Sequence, residues 1–268
     1  MLRVIDEIAD PGGPQLNEDR VGSGGKLAWV IDGATSLETS SFLPDESDVQ
    51  WLVGFVDRRL RAMDYTELPS RGDLILQLLR KRVTEELVSF GFPEGRIYPV
   101  CSVGICLDQG EFLELTRVGN VTCVVTGDRP VELSTSYFSQ REASAVRRSA
   151  GRGLSSPAVR ADILERRMEY ILGVEGESVF SGHSQAGLYS HSIQIDRRDA
   201  EHVLVCSDGF ARAVVDYGLY RGWRDLVADA VEGGLRAIVA KIRRFERINS
   251  GGNHFKRADD ASALLAVV

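Results

Sequence analysis

Apolar positions recur along this chain in two periods, and the switches between them divide it into elements. Residues 2–8 read as a strand that stops at a break, Pro11-Gly12-Gly13-Pro14. Lys26-Leu27-Ala28-Trp29-Val30-Ile31 reads as a second, ending in Asp32-Gly33. Over 45–63 the period changes: Val49, Leu52, Val53, Val56, Leu60 and Met63 fall on one helical face, and Leu74, Leu78, Leu79 and Leu87 repeat the pattern over 73–90. Strand chemistry returns in Val100–Leu107, Phe112–Val118 and Val121–Thr126. The links Asp108-Gln109-Gly110 and Gly119-Asn120 are short enough to make all three antiparallel neighbours. Further strands are expected at 187–195, 202–207 and 261–268, with one helical stretch over 223–247.

Hairpin-linked strands interrupted by helical pairs imply antiparallel sheets with helices on their outer faces, an α+β architecture. A doubly wound parallel sheet would need regular strand–helix alternation and a glycine fingerprint after the first strand, and neither is present. Gly22-Ser23-Gly24-Gly25-Lys26 has the wrong spacing for a phosphate loop and reads as a hairpin turn. Residues 138–172 are polar and rich in arginine (Arg141, Arg147, Arg148, Arg152, Arg160, Arg166, Arg167), with helical spacing around Gly151, Gly153 and Pro157. The expectation is a single domain over 1–268 with a flap subdomain around 138–186. Glu142, Asp162, Glu165 and Glu169 interleave those arginines, which favours a solvated helical face.

Lys plus Arg is 32 against 39 Asp plus Glu, a formal charge of −7. This argues against a nucleic-acid partner held by a net basic field. Apolar runs such as Val203–Cys206 are far shorter than the ~20 residues of a membrane span. The start Met1–Asp6 lacks an apolar secretion segment, so the chain reads as cytoplasmic with no membrane partner. Cys101, Cys106, Cys123 and Cys206 lie in β-branched apolar stretches without a Cys-x-x-Cys pair, and read as buried thiols. His183, His191, His202 and His254 form no cluster. Any metal must therefore be held by oxygen.

The aspartates supply that oxygen. Asp32 ends one apolar strand, Asp208 follows Val203-Leu204-Val205-Cys206-Ser207, and Asp259-Asp260 precede the last strand. If that last strand runs antiparallel to its neighbours, its beginning lies beside their ends, and all four carboxylates meet at one edge of the sheet. An Asp-Gly pair after a strand is ordinarily a hairpin turn. Here Gly33 leads toward a helix and Gly209 into Phe210-Ala211-Arg212-Ala213, so neither pair closes a two-residue hairpin. Glu18-Asp19 adds two acids on the loop past the first strand. Converging anions repel unless protonated or bridged by cations, and Mg²⁺ or Mn²⁺ takes such an oxygen ligand set. Two such ions can clamp the oxygens of an in-line phosphoryl displacement.

Asn17-Glu18-Asp19-Arg20, Val30-Ile31-Asp32-Gly33, Val118-Gly119-Asn120, Cys206-Ser207-Asp208-Gly209 and Asp259-Asp260-Ala261-Ser262 occur in the order and rough spacing of the PPM-type metal-dependent phosphatases, the protein phosphatase 2C relatives. The resemblance spans the whole chain. It implies a sandwich of two antiparallel β-sheets flanked by helical pairs (α-β-β-α), two Mn²⁺ or Mg²⁺ ions per chain at one end, and a mobile flap beside them. By position, Asp32 resembles the bridging ligand, Asp208 and Asp259 ligands of the first ion, and Glu18 with the Gly33 carbonyl ligands of the second. Asp19 resembles the residue that orients the attacking water, which with Asp32 makes the catalytic pair. The implied activity is hydrolysis of phosphoserine and phosphothreonine in a phosphorylated protein partner by a water bridging the two ions.

Three positions depart from the family pattern. Many members carry a phosphate-gripping arginine where this chain has Pro14, some carry a histidine where it has Ala34, and the aspartate usual after the glycine at 119 is Asn120. A neutral amide is a poorer ligand for a hard cation, so a third ion is not expected. Phosphate anchoring then falls to the metals, Arg20, the Thr35 and Ser36 hydroxyls or a flap arginine. Two alternatives stand beside the phosphoprotein phosphatase: a catalytically silent phosphatase-like binding module, and a hydrolase of small phosphate esters. The sequence leaves the oligomeric state open.

Overall fold

A computed structural model describes residues 2–13, 16–64, 68–148, 156–249 and 258–268. Pro14, Arg152, Gly151, Gly153 and His254 lie outside the described residues. The strands form two antiparallel sheets. In the first, β1 (Arg3–Asp10), β11 (Ala261–Val267), β10 (His202–Cys206), β6 (Thr122–Thr126) and β7 (Val131–Leu133) lie side by side in that order. In the second the order is β2 (Arg20–Gly24), β3 (Leu27–Gly33), β4 (Val100–Asp108), β5 (Phe112–Val118) and β9 (His191–Asp196), with β8 (Phe180–Ser181) paired to β4.

Alternation along each strand sorts its apolar residues between two layers. Ala28 and Val30 of β3 face the other sheet and pack with Val121, Cys123, Val203, Val205 and Leu264. Trp29 and Ile31 face outward against Val49, Leu52 and Val56 of α1 (Asp48–Arg61) and Leu76 and Leu79 of α2 (Gly72–Ser89). Over the first sheet, Leu204, Ala263 and Leu265 pack under α5 (Asp208–Val215), α6 (Trp223–Gly233) and α7 (Leu235–Ile248). Both faces of the central strands are buried, so they read as continuous apolar runs. This is the α+β sandwich expected from the sequence.

Four expectations are corrected. β5 and β6 are not neighbours: the Gly119-Asn120 link carries the chain from one sheet to the other, where β6 pairs with β10 and β7. Gly119 sits at φ +82°, and a Cβ there would stand 2.2 Å from Ser102 Oγ, so this crossing requires glycine. The stretch 223–247 is two helices, broken at Gly234. The residues after Asp208 form the helix α5, and β2, β7 and β8 are strands the apolar pattern did not show. The arginine-rich segment folds as α3 (Tyr137–Arg148) and α4 (Pro157–Leu172), but it is not simply a solvated face: Arg166 is buried, and Arg167 lies against the loop after β3.

Candidate active site

The acids meet at one end of the sandwich. β11 runs antiparallel to β1 and β10, with Ala261 beside Asp10 and Ala263 beside Cys206, so Asp259 and Asp260 enter where β1 ends and Asp208 begins α5. Asp32 stands at the end of β3, in the other sheet, and Asp19 directly precedes β2, whose Arg20 pairs with Ile31. The carboxylates therefore gather across two sheets rather than along the edge of one. The contact that spans the gap is the Asp208 amide, which donates to Asp32 Oδ2 at 3.4 Å.

Each acid has a distinct local role. Asp260 is a staple: Oδ1 accepts from the Gly12 amide at 3.0 Å and Oδ2 from the Glu18 amide at 2.8 Å, which fixes the Asn17–Asp19 loop against the start of β11. Glu18 Oε1 accepts from Ser47 Oγ, the residue that also caps α1 through the Gln50 amide. Gly33 allows this loop to close on β3, because a Cβ there would lie 2.5 Å from the Glu18 carbonyl oxygen. Asp208 Oδ2 accepts from Asn120 Nδ2 at 2.7 Å, and Ser102 Oγ donates to Asn120 Oδ1 at 2.5 Å. Asn120 thus supplies a donor to Asp208, which an aspartate at this position would not do. Asp259 Oδ2 lies 3.1 Å from Nη2 of Arg212, a guanidinium one helical turn after Asp208 and 2% exposed.

Asp19 is 2% exposed, and its Oδ2 receives no hydrogen bond. Burial, together with the charges of Asp260, Asp259 and Asp208, pushes its carboxyl up to about 8. Asp32 opens on a cavity but is enclosed deeply enough that burial, with Asp19, Asp208 and Asp259 adding to it, drives its carboxyl well above the ordinary range. Burial opposes the charge on Arg212, but Asp208 and Asp259 outweigh it and hold the guanidinium firmly charged.

The cavity has a volume of about 250 Å³. Asp32, Gly33, Asn120, Asp208 and Asp259 line it together with Phe138 of α3 and Ile163, Arg166, Arg167 and Tyr170 of α4. Arg167 Nη2 donates to the Thr35 carbonyl at 2.9 Å, and burial lowers its guanidinium to about 10 with Glu18 pulling the other way. Ala34 lines the same cavity next to Gly33.

Among the described residues no three His, Cys, Asp or Glu side chains converge closely enough to hold one ion as they stand. Ser47, Asn120 and Arg212 each hold one carboxylate of the cluster, and the Gly12 and Glu18 amides hold Asp260. The donor chemistry itself fits a hard divalent cation. It is all oxygen, it includes the orphaned Asp19 Oδ2, and it concentrates repelling acids that a cation would relieve. Asn120, Arg212 and Arg167 were not assigned these contacts from sequence; the turn of spacing between Asp208 and Arg212 was the available signal for one of them.

No family model matches the sequence, and no curated protein matches it. Solved structures do. The serine/threonine phosphatase PstP/Ppp of Mycobacterium tuberculosis superposes with a TM-score of 0.60 at 15% identity, over 100% of this chain and 98% of that one. The catalytic domain of the serine/threonine phosphatase PstP in complex with 2 manganese ions gives 0.58 at 16%, over 100% and 98%. Serine/threonine phosphatase Stp1 from Staphylococcus aureus gives 0.57 at 14%, over 100% and 95%. At these identities the likeness is one of fold: the chain has the two-sheet α+β fold of the PPM-type serine/threonine phosphatases.

Proposed function

We propose that this chain is a phosphatase that uses Mn²⁺ or Mg²⁺ to hydrolyse phosphoserine and phosphothreonine in proteins. The observation that carries this reading is the placement of Asp19 and Asp32, their carboxyls pushed upward by burial and by Asp208 and Asp259, at one end of a phosphatase fold. Asp32, Asp208 and Asp259 would hold one ion, and Asp32, Glu18 and the Gly33 carbonyl a second. When bound, such ions supply the positive charge that activates water and stabilises the phosphoryl oxygens.

The chain's own groups do the rest. Asp19 Oδ2, lacking a protein donor, accepts a hydrogen bond from the attacking water and orients it toward phosphorus. Arg167, which lines the same cavity as the acids, grips the phosphate that an arginine holds in many members of the family the sequence resembles, where this chain has Pro14. α3 and α4 act as the flap that encloses the ester. The leaving alcohol takes its proton from water, because Ala34 offers none. Asn120 is engaged with Asp208, which leaves two ions rather than three.

The test is phosphate release from a phosphothreonine peptide and from p-nitrophenyl phosphate, with Mn²⁺ and in excess chelator. Release of peptide phosphate only with metal is the expected result. Unchanged release in chelator, or none from either ester with Mn²⁺, overturns the reading; release from p-nitrophenyl phosphate alone points to small esters. One observation favours a silent binding module instead, namely that Arg212 already occupies Asp259.

A further inference from the structure

A charged side chain sits buried among the acids, on α5. Arg212 is 2% exposed, and its Nη2 donates to Asp259 Oδ2 at 3.1 Å. Its Nε and Nη1 are buried and find no acceptor among the described residues. A guanidinium buried with two unanswered nitrogens is unfavourable unless its charge is required by its surroundings. Those surroundings are Asp259 and, one helical turn back on α5, Asp208. The Asn120 amide adds a second protein donor to the same pair, on Asp208 Oδ2 at 2.7 Å. By contrast, Glu18 accepts from the neutral Ser47 hydroxyl, and Arg167, whose charge also acts on Glu18, is bonded to the Thr35 carbonyl.

We infer that Arg212 is a resident counter-charge for Asp208 and Asp259, so that the ion position these two carboxylates form is partly neutralised in advance and takes its divalent ion more weakly than the position formed by Asp32, Glu18 and the Gly33 carbonyl. This rests on the metal-dependent reading above. It makes the chain asymmetric toward metal, with one ion held tightly and the other entering only as Asp259 exchanges a guanidinium for the ion. A nearby full charge alters such equilibria by roughly ten- to thousandfold.

The experiment is Mn²⁺ titration of the chelator-stripped full chain, with free ion counted by electron paramagnetic resonance and heats by calorimetry. In the unaltered chain, one ion should bind at least about tenfold more weakly than the other. Arg212→Met removes the charge at similar length and should tighten the weak ion at least about tenfold, while Arg212→Lys keeps the charge and stays close to the unaltered chain. Arg212→Gln keeps a donor for Asp259 without charge and should behave like the Met variant; it also carries the test alone should Arg212→Met fail to fold. The inference is overturned if the uncharged variants bind no tighter than the original, if Arg212→Lys tightens as much as they do, or if Gln retains the weak site that Met loses. Two equally tight ions in the unaltered chain, with phosphate release intact, also overturn it while leaving the proposed function standing. No Mn²⁺ bound by any form removes both.

Discussion

Two aspartates in this molecule are equally little exposed and electrostatically opposite. Asp48, the first residue of α1, and Asp19, at the head of the acid cluster, are each 2% exposed. Asp48 Oδ1 accepts from the Phe42 and Leu43 amides at 2.7 and 2.9 Å and from Ser41 Oγ at 3.0 Å, and Oδ2 accepts from Arg96 Nε at 2.8 Å. Burial alone would raise its carboxyl, but these donors hold it below the ordinary value. Asp19 is as little exposed but lies deeper, with an orphaned oxygen and acids for neighbours, and burial above all raises its carboxyl to about 8. Exposure alone therefore does not decide what an acid is for. The donors around it do: a satisfied carboxylate secures the loop before α1, and an unsatisfied one keeps its capacity for a cation or a water.

The strongest way to break this contrast is through the acid cluster's proposed chemistry. Asp208→Asn should lower Mn²⁺-dependent phosphate release by at least about a hundredfold while the melting temperature barely changes, because it removes a charge at the start of α5 and no core contact. Near-normal turnover in this variant would show that the cluster is not the reaction centre.

At Asp48 the expected damage is to the fold. Asp48→Ala deletes the acceptor for two amides, a hydroxyl and a guanidinium at once, and should cost about 2–4 kcal/mol in chemical denaturation. Asp19→Asn, measured without metal, should cost little, and above pH 8, where the carboxyl would carry its charge, it should stabilise. Equal losses at the two positions would erase the distinction.

A pH series separates them by sign. The folded Asp19 carboxyl lies near 8, against about 3.9 for an aspartate in an unfolded chain, so the native state binds the extra proton between those values. Stability of the chelated protein should thus be highest near pH 4–5 on this account and fall as pH rises toward 8. Asp48 runs the other way, its contribution present above about pH 4 and lost as pH falls through its lowered folded value. Thermal melts at pH 5 and pH 8 in chelator should show the decline, and Asp19→Asn should flatten it. A slope unchanged in that variant would assign the decline to other groups.

Much of this was legible in the chain. The paired periods over 45–63 and 73–90 mark α1 and α2, and the order of Glu18-Asp19, Asp32, Asp208 and Asp259 marks the cluster, because acids that end or precede strands interrupt the apolar pattern. What stayed hidden depends on contacts between segments distant in sequence. Gly119-Asn120 looks like a hairpin turn, and only its packing against Ser102 and Asp208 makes it a crossing between sheets. Asp260 is indistinguishable from Asp259 as a motif letter, yet it holds backbone amides rather than facing the cavity. Arg167 is one charge in a mixed run of sequence, and only the folding of α4 brings it to the cavity that Asp32 also lines.

That last residue yields the smallest effect, and it tests whether α4 contributes to the reaction in the way the acids do. Arg167 and Arg160 both reach from α4 to the loop after β3, bonding the carbonyls of Thr35 and Leu37. Only Arg167 also lines the cavity. If it grips substrate phosphate, Arg167→Met should raise KM for a phosphothreonine peptide about five- to tenfold with kcat nearly constant, the loss of one charge-assisted contact. Arg160→Met, which removes a tie to the same loop without opening on the cavity, should leave KM unchanged. Should both variants lower kcat equally at constant KM, the two arginines serve only to place the Thr35–Leu37 loop, and the grip on phosphate passes to Arg166, which also lines the cavity, or to ions held by the acids.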